Sequence, residues 1–424
     1  MMIQDLYTLF LDTRSVCTDT RKIEKNCLFF ALKGTNFNGN QFAKEALKKG
    51  ASYAIVDEKK YEVSGKTILV DDVLTTLQKL ANYHRKQLKT TIIALTGSNG
   101  KTTTKELINC VLKSKYNTIA TKGNLNNHIG VPLTLLSIKY NIEIAIVEMG
   151  ANHQKEIAFL CEITFPDYGC ITNFGKAHLE GFGGIEGVIK GKSELYDHLI
   201  EQNKHIFYNT DDPIQVEKLK NYSKKISYSK SGKADYVIEF VGANPFVTIK
   251  VGDTYINSQL IGSYNYSNIA LAITIGMYFD VPLSAIKKAV ENYIPANNRS
   301  QILYKNSNKI ILDAYNANPT SMVAAFDHFS NLPDKNKIAF LGDMFELGED
   351  SNKEHQAIVD IAEKAQGINV ILIGTHFYKT NSTLEKYKTF NDLRKGIDRE
   401  SIKNSTILIK GSRGMALERI LDVL

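Results

Sequence analysis

The stretch Ile92-Ile93-Ala94-Leu95-Thr96-Gly97-Ser98-Asn99-Gly100-Lys101-Thr102-Thr103-Thr104 constrains this chain more than any other. An apolar run rich in β-branched residues reads as a buried strand, a small-residue loop stops it, and a helix-type pattern follows. Gly97 and Gly100 let the loop curl so that successive N–H groups face an anion. The helix beginning near Lys101 adds its positive end, Lys101 a mobile charge, and Thr102 a hydroxyl for Mg²⁺. The common phosphate-loop pattern needs Gly at position 95, where Leu95 stands, so this is a shorter T-G-x-x-G-K-T form. An ordinary strand-to-helix turn gives no reason for Lys and Thr directly after the second Gly. The loop therefore predicts ATP, with Gly97, Ser98, Asn99, Gly100, Lys101, Thr102 and Thr103 around its phosphates.

The strand–helix rhythm runs through most of the 424 residues. Residues 1–88 pair short strand-like pieces with helical ones, the last of them Val73 to Leu88. From 89 to 297, apolar runs at Ile92–Leu95, Ile142–Val147, Tyr168–Thr172 and His205–Tyr208 alternate with helical segments. Residues 298–424 repeat the pattern around Ile310–Asp313, Ile338–Asp343, Val370–Gly374 and Thr406–Gly411. The fold class predicted is α/β with mostly parallel sheets covered on both faces, ligands gathering at the carboxyl ends of strands. The third unit is Rossmann-like, but G-x-G-x-x-G is absent, which argues against NAD.

Composition narrows the function classes. With 43% hydrophobic and 23% charged residues the chain is ordinary for a soluble globular protein. Its net charge of +7 is spread without a Lys/Arg block, so no nucleic-acid partner is expected. Five cysteines without metal-ligand spacing read as reduced thiols. No signal peptide opens the chain, and no stretch approaches the ~18 apolar residues of a membrane span. A cytoplasmic monomer acting on small molecules is the expectation.

Several polar residues sit where such a sheet binds ligands. Glu148 ends an apolar strand beside the phosphate loop, where Mg²⁺ takes a hard oxygen ligand. His178 and Lys192 gain nothing from spacing alone: a lone His is more often structural, a lone helical Lys more often solvated. Asn265 and Asn268 fit either a helix start or an ATP contact. Asp313-Ala314-Tyr315-Asn316-Ala317-Asn318-Pro319 leaves a strand with polar and aromatic side chains; Tyr315 is positioned to stack on a base and Asn316 to pair with its edge, unless the run is a plain turn.

Together these segments resemble the Mur ligases, the ATP-dependent amide-forming enzymes of peptidoglycan precursor synthesis. The match runs in family order through Thr96–Thr102, Gly123–Pro132, Glu148–His153, Ala177–Gly183, Asn265–Asn268, Asp313–Pro319, Gly342–Gly348 and Lys410–Arg413. Asn124–Asn127, Tyr315–Pro319 and Gly342–Gly348 are similar to the branch joining D-alanyl-D-alanine to UDP-N-acetylmuramoyl-tripeptide. The resemblance implies a three-domain architecture and a path in which ATP phosphorylates the peptide carboxylate and the dipeptide amine attacks the acyl phosphate. It implies Lys101 on the β/γ-phosphates, Thr102 and Glu148 on one Mg²⁺, and His178 with a carbamylated Lys192 on a second. It places Asn265, Asn268, Arg299, Asp313, Tyr315 and Asn316 around ATP, and Asn126 and Asn127 with the substrate.

For the UDP moiety the resemblance points to Thr20, Arg21, Gly34, Phe37 and Asn38 in the first unit. Thr20 stands where Ser is usual and keeps the hydroxyl; Ala314 replaces a common Ser and removes one contact. A sister branch adding a diamino acid usually carries Asp-Asn-Pro-Arg, which this chain lacks. Folylpolyglutamate synthase would not explain Asn124–Asn127. A P-loop switch protein would leave His178, Lys192 and the third unit without a task.

Overall fold

Every position of the strand Thr91–Thr96 after its first is buried, as a strand covered on both faces requires. Ile92 and Ala94 pack into one apolar cluster with Val131, Leu160 and Leu195. Ile93 and Leu95 point the other way, against Leu107, Ile108, Ile269 and Ile273. The alternation turns one strand into the partition between two cores. This computed structural model describes residues 2–13, 15–295 and 298–424; Ala296 and Asn297 before Arg299, and the expected boundary at 297, lie outside them.

The strand belongs to a seven-stranded sheet. Its order is Tyr236–Val237, Lys225–Ser229, His205–Asn209, Tyr168–Ile171, Thr91–Thr96, Ile144–Glu148 and Thr118–Ala120. All six pairings are parallel. From Thr91–Thr96 the chain first builds toward the Thr118–Ala120 edge, then crosses to build the opposite side. That reversal opens a crevice at the carboxyl ends, the usual ligand position in such sheets. Register sets Leu95 against Glu148 and Thr96 against Ile171, so both flanking strands end beside the phosphate loop.

One part of the central unit departs from the β/α expectation. Glu239–Ala243, Phe246–Val251 and Thr254–Ile261 form an antiparallel three-stranded sheet. Phe246–Val251 buries every second residue, the signature of a sheet with only one face on the core.

The third unit has six strands, ordered Gln301–Lys305, Asn308–Asp313, Thr406–Lys410, Lys337–Gly342, Ile368–Ile373 and Glu385–Tyr387. The four expected from sequence are its middle; Gln301–Lys305 and Glu385–Tyr387 are its edges, the former antiparallel. The first unit is a parallel sheet of Ser15–Cys17, Cys27–Phe30, Tyr53–Val56 and Thr67–Leu69, with a hairpin of Lys33–Gly34 and Phe37–Asn38. Its closing helix, Val73–Gln87, is capped by Asp72 on the Thr75 N–H at 2.7 Å. Among the described residues, no helix is long and apolar enough to cross a membrane.

Candidate active site

The loop Gly97–Gly100 is held from below. Gly97 has φ +145°, and a Cβ there would lie 2.0 Å from Thr172 Oγ1. Gly100 has φ +78°, and its Cβ would lie 2.4 Å from Asn268 Oδ1. Both positions need Gly for conformation and for space. Asn173 accepts the Asn99 N–H on Oδ1 at 3.0 Å and donates from Nδ2 to Asn99 O at 3.0 Å. Thr172 Oγ1 donates to Asn99 O at 2.6 Å, and Ser98 Oγ to Gly175 O at 2.8 Å. The neighbouring strand end thus fixes the loop before any ligand arrives. Helix Lys101–Leu112 then begins, and the first N–H groups of a helix have no intrahelical acceptor.

Lys101 folds back so that Nζ donates to Gly97 O at 2.7 Å and Ser98 O at 3.3 Å. Burial lowers its pKa, while Glu148 opposes the shift and Arg299 adds to it. Glu148 is 1% exposed. Its Oε1 accepts from Asn126 Nδ2 at 2.8 Å and Thr102 Oγ1 at 3.2 Å, and its N–H is held by Thr121 Oγ1. Among the described residues, Glu148 Oε2 is buried without a hydrogen-bond partner. A desolvated carboxylate oxygen beside a threonine hydroxyl fits a hard divalent cation.

These groups open onto a cavity of about 1030 Å³. Pockets for one small ligand span roughly 300–1,000 Å³, and this one stands at the top of that range. Its walls come from the phosphate loop, from Asn126 and Asn127, and from third-unit residues Asp313, Tyr315 and Asn316.

Three family models match the chain in order: "Mur ligase family, catalytic domain" over residues 13–85, "Mur ligase middle domain" over 95–276, and "Mur ligase, glutamate ligase domain" over 298–413. The UDP-N-acetylmuramoyl-tripeptide–D-alanyl-D-alanine ligase of Bacillus subtilis is 35% identical, covering 96% of this chain and 92% of that protein. The chain belongs to the Mur ligase family. Its fold superimposes on MurF from Acinetobacter baumannii with TM-score 0.86 at 28% identity, covering 99% of this chain and 98% of the other. The Thermotoga maritima MurF ligase, solved in complex with ADP, gives TM-score 0.83 at 28% identity over 98% and 97% of the chains.

Within this Mur ligase the residues singled out from sequence fall into three groups. Ser98 through Thr103, Asn126, Asn127, Glu148, His178, Arg299, Asp313, Tyr315 and Asn316 all line the cavity. Others act from beneath it. Asn268 Oδ1 accepts from Thr104 Oγ1 at 3.0 Å and its Nδ2 donates to Asn265 Oδ1 at 2.8 Å. Asn265 Nδ2 in turn donates to Ile261 O. Both asparagines reach the cavity edge while bracing Gly100. Asn127 likewise caps a turn, its Oδ1 accepting from Ile129 and Gly130 N–H.

Lys192 is fully buried behind the wall, donating to Ala151 O at 3.1 Å with Nζ 4.9 Å from the Phe182 ring centroid. Burial, with Lys101 adding to it, drives its pKa well below the ordinary value against the pull of Glu156 and Glu194. Tyr315 meets the Arg299 guanidinium 3.7 Å from its ring centroid, so one face is covered by a cation. Asp313 accepts from Lys410 Nζ at 2.6 Å and the Ser300 N–H at 3.1 Å.

The first-unit candidates do not join the cavity. Arg21 is exposed and paired with Asp19 at 2.8 Å. Phe37 is exposed, its ring against Gly34, and Asn38 is engaged locally with Glu58 and Asn40. Thr20 opens a short 3₁₀ turn capped by Asp19. Among the described residues of the first unit, Gln78, reaching His128 O at 2.9 Å, is the one on the cavity wall.

Sequence reasoning missed contacts that join the units. Asn318 Nδ2 donates to Asn99 Oδ1 at 2.7 Å, tying the third unit to the phosphate loop. Asn318 followed by Pro319 is a readable helix-start signal, and it caps Ser321, but its second partner lies 219 residues away. Lys410 and Glu346 lie in segments already quoted, and nothing local marks what they touch.

Proposed function

We propose that this chain is an ATP-dependent ligase that joins D-alanyl-D-alanine to UDP-N-acetylmuramoyl-tripeptide in peptidoglycan precursor synthesis. The observation that carries the reading is the unpartnered, buried Glu148 Oε2 beside Lys101 and Thr102, on a cavity walled by both central and third units. The three units 1–88, 89–297 and 298–424 would supply the UDP, ATP and dipeptide sides.

Thr102 and Glu148 fit one Mg²⁺; His178 and a carbamylated Lys192 would hold a second. Bound Mg²⁺ supplies charge neutralisation for phosphoryl transfer. The Lys192 environment fits the modification: burial disfavours its ammonium form, and an amine that adds CO₂ and releases a proton becomes a carboxylate-like anion. Lys101 swings from its loop carbonyls onto the β/γ-phosphates, and Arg299 adds positive charge from the hinge side. The peptide carboxylate takes the γ-phosphoryl group, ADP leaves, and the dipeptide amine displaces phosphate, losing its proton as the amide forms. Asn126 holds Glu148 in place, and Asn318 on Asn99 helps exclude water from the acyl phosphate.

We place the enzyme in the cytoplasm, acting as a monomer. Purified protein with ATP, Mg²⁺ and UDP-MurNAc-tripeptide is expected to release phosphate only when D-Ala-D-Ala is added. Release instead with a diamino acid on UDP-MurNAc-dipeptide would overturn the assignment. Running the assay with lysine- and diaminopimelate-containing tripeptides identifies the third residue.

A further inference from the structure

The segment that follows strand Tyr168–Ile171 carries His178, and it is gripped from two sides. The central unit holds its start through Ser98 Oγ on Gly175 O at 2.8 Å. The third unit holds the rest. Lys176 N–H donates to Thr320 Oγ1 at 3.0 Å, and Lys176 Nζ meets Glu354 Oε1 at 2.5 Å. Glu180 N–H donates to Glu346 O at 3.3 Å, and the Glu346 carboxylate lies in ion-pair contact with His178 Nδ1.

Glu346 stands in Gly342-Asp343-Met344-Phe345-Glu346-Leu347-Gly348, a run conspicuous in sequence and without a task so far. The structure shows that this loop is stiff. Asp343, 1% exposed, accepts the N–H groups of His376 and Phe377, both at 2.9 Å. Met344 N–H donates to His355 Nε2 at 3.0 Å, and Phe345 N–H to Ser412 Oγ at 3.0 Å. Met344 and Leu347 are buried. A loop pinned on both sides of Glu346 presents that carboxylate in one place.

The two partners share an uncommon backbone state: φ is +62° at Glu346 and +54° at His178. Non-Gly residues hold this conformation only where the surroundings over-determine it, and such positions cluster at functional sites. The Glu346 side chain is 53% exposed and that of His178 18%, and a pair with one partner so exposed contributes little to stability. Ordinary domain packing therefore gives no reason for strain on both sides of one contact.

We infer that Glu346 is a positioning residue for the ligase reaction, reaching from the third unit to orient His178 across the cavity. The Glu346 carboxylate, in ion-pair contact with Nδ1, engages that edge of the imidazole. Nε2 is then the ring nitrogen left to face a cation. Because the carboxylate comes from the third unit, His178 is set only when that unit is docked, with Lys176–Glu354 as the second clasp on the same segment. This inference rests on the ligase reading and adds to it the residue that couples docking to the site.

The test uses the full chain and the variants Glu346→Ala and Glu346→Gln. Carboxylate partners of metal-facing histidines typically matter by 10–100-fold, so Glu346→Ala is expected to lower kcat by about that factor with the KM for ATP within about twofold. Glu346→Gln, which keeps the reach and volume of the side chain without its charge, recovers part of the loss. Hydrogen exchange without substrates supplies a second readout: in Glu346→Ala, amides of residues 174–182 exchange roughly tenfold faster while 97–104 do not change. Unaltered exchange across 174–182, or kcat within about threefold of wild type, overturns the inference. Should Glu346→Ala melt early, Glu346→Gln keeps the volume and carries the comparison. Wild-type protein without turnover refutes the ligase reading itself, and the exchange result still decides whether Glu346 holds the His178 segment.

Discussion

The phosphate loop and the first-unit loops at Thr20–Arg21 and Gly34–Asn38 carry comparable numbers of candidate residues, yet they are built in opposite ways. Around Gly97–Gly100 every element is interlocked. Thr172, Asn173 and Asn268 fix the loop from below, Asn318 touches it from another unit, and Glu148 is buried beside it. In the first unit Arg21 and Phe37 stand in solvent, Arg21 paired with Asp19 and Asn38 with Glu58. The contrast follows from the chemistry each region faces. Phosphoryl transfer needs charges aimed before the reaction, because reorganising them afterwards raises the barrier. Holding a large nucleotide-linked substrate needs an open, adaptable surface. Substitutions in the first region are therefore expected to reduce kcat, and in the second to raise KM.

Lys101→Ala is the sharpest break. Removing one preorganised donor at a transition state costs about 10²–10³-fold, and Lys101 is the flexible cation of the loop, so phosphate release is expected to fall by at least 10³-fold. Retention of a tenth of the wild-type rate would show that the interlocked loop is not the phosphate cradle.

Lys192→Ala comes next, at roughly 10²-fold, the scale at which metal-ligand surroundings affect turnover. The loss is expected to reverse in part with added formate or acetate, which can occupy the carbamate's place. Turnover near wild type would remove Lys192 from the site and leave its buried amine without a task. Partial rescue separates an anion requirement from simple collapse of the packing around Phe182.

Much of this difference between regions is legible in sequence, and the rest is hidden for identifiable reasons. The phosphate loop is local: strand, glycines, Lys101 and Thr102 occupy consecutive positions. Glu148 follows from a strand end in a parallel sheet. Asn265 and Asn268 read equally as ATP contacts or helix-start residues, and only the close approach of Asn268 to Gly100 shows them bracing the loop. Tyr315 reads as an open stacking platform, but Arg299 lies over one face. The antiparallel sheet of Phe246–Val251 escapes a β/α reading although its alternation is plain in retrospect. Contacts such as Asn318 on Asn99 and Glu346 on His178 join segments that no local pattern links. In the first unit the resemblance alone marks Arg21 and Phe37, because exposed recognition residues leave no periodic or packing signature.

Arg21→Ala probes the open side of the comparison and has the smallest expected effect. Its guanidinium is in solvent and pairs with Asp19, and pairs so exposed contribute little, so the melting midpoint should scarcely move. The KM for UDP-MurNAc-tripeptide is expected to rise about tenfold, the equivalent of one lost charge-assisted contact, with kcat unchanged. The pair also has a pH signature. Arg21 hydrogen bonds hold the Asp19 carboxyl down at about 2, below the ordinary carboxylate range. A depressed acid contributes fully above its ordinary pKa and loses that contribution as pH falls through the folded value. The Arg21–Asp19 geometry therefore persists across the working range of the enzyme, and substrate KM should show no step between about pH 5 and 8 from this pair. A kcat loss in Arg21→Ala matching that of Glu346→Ala would erase the distinction between a preorganised site and an open recognition surface.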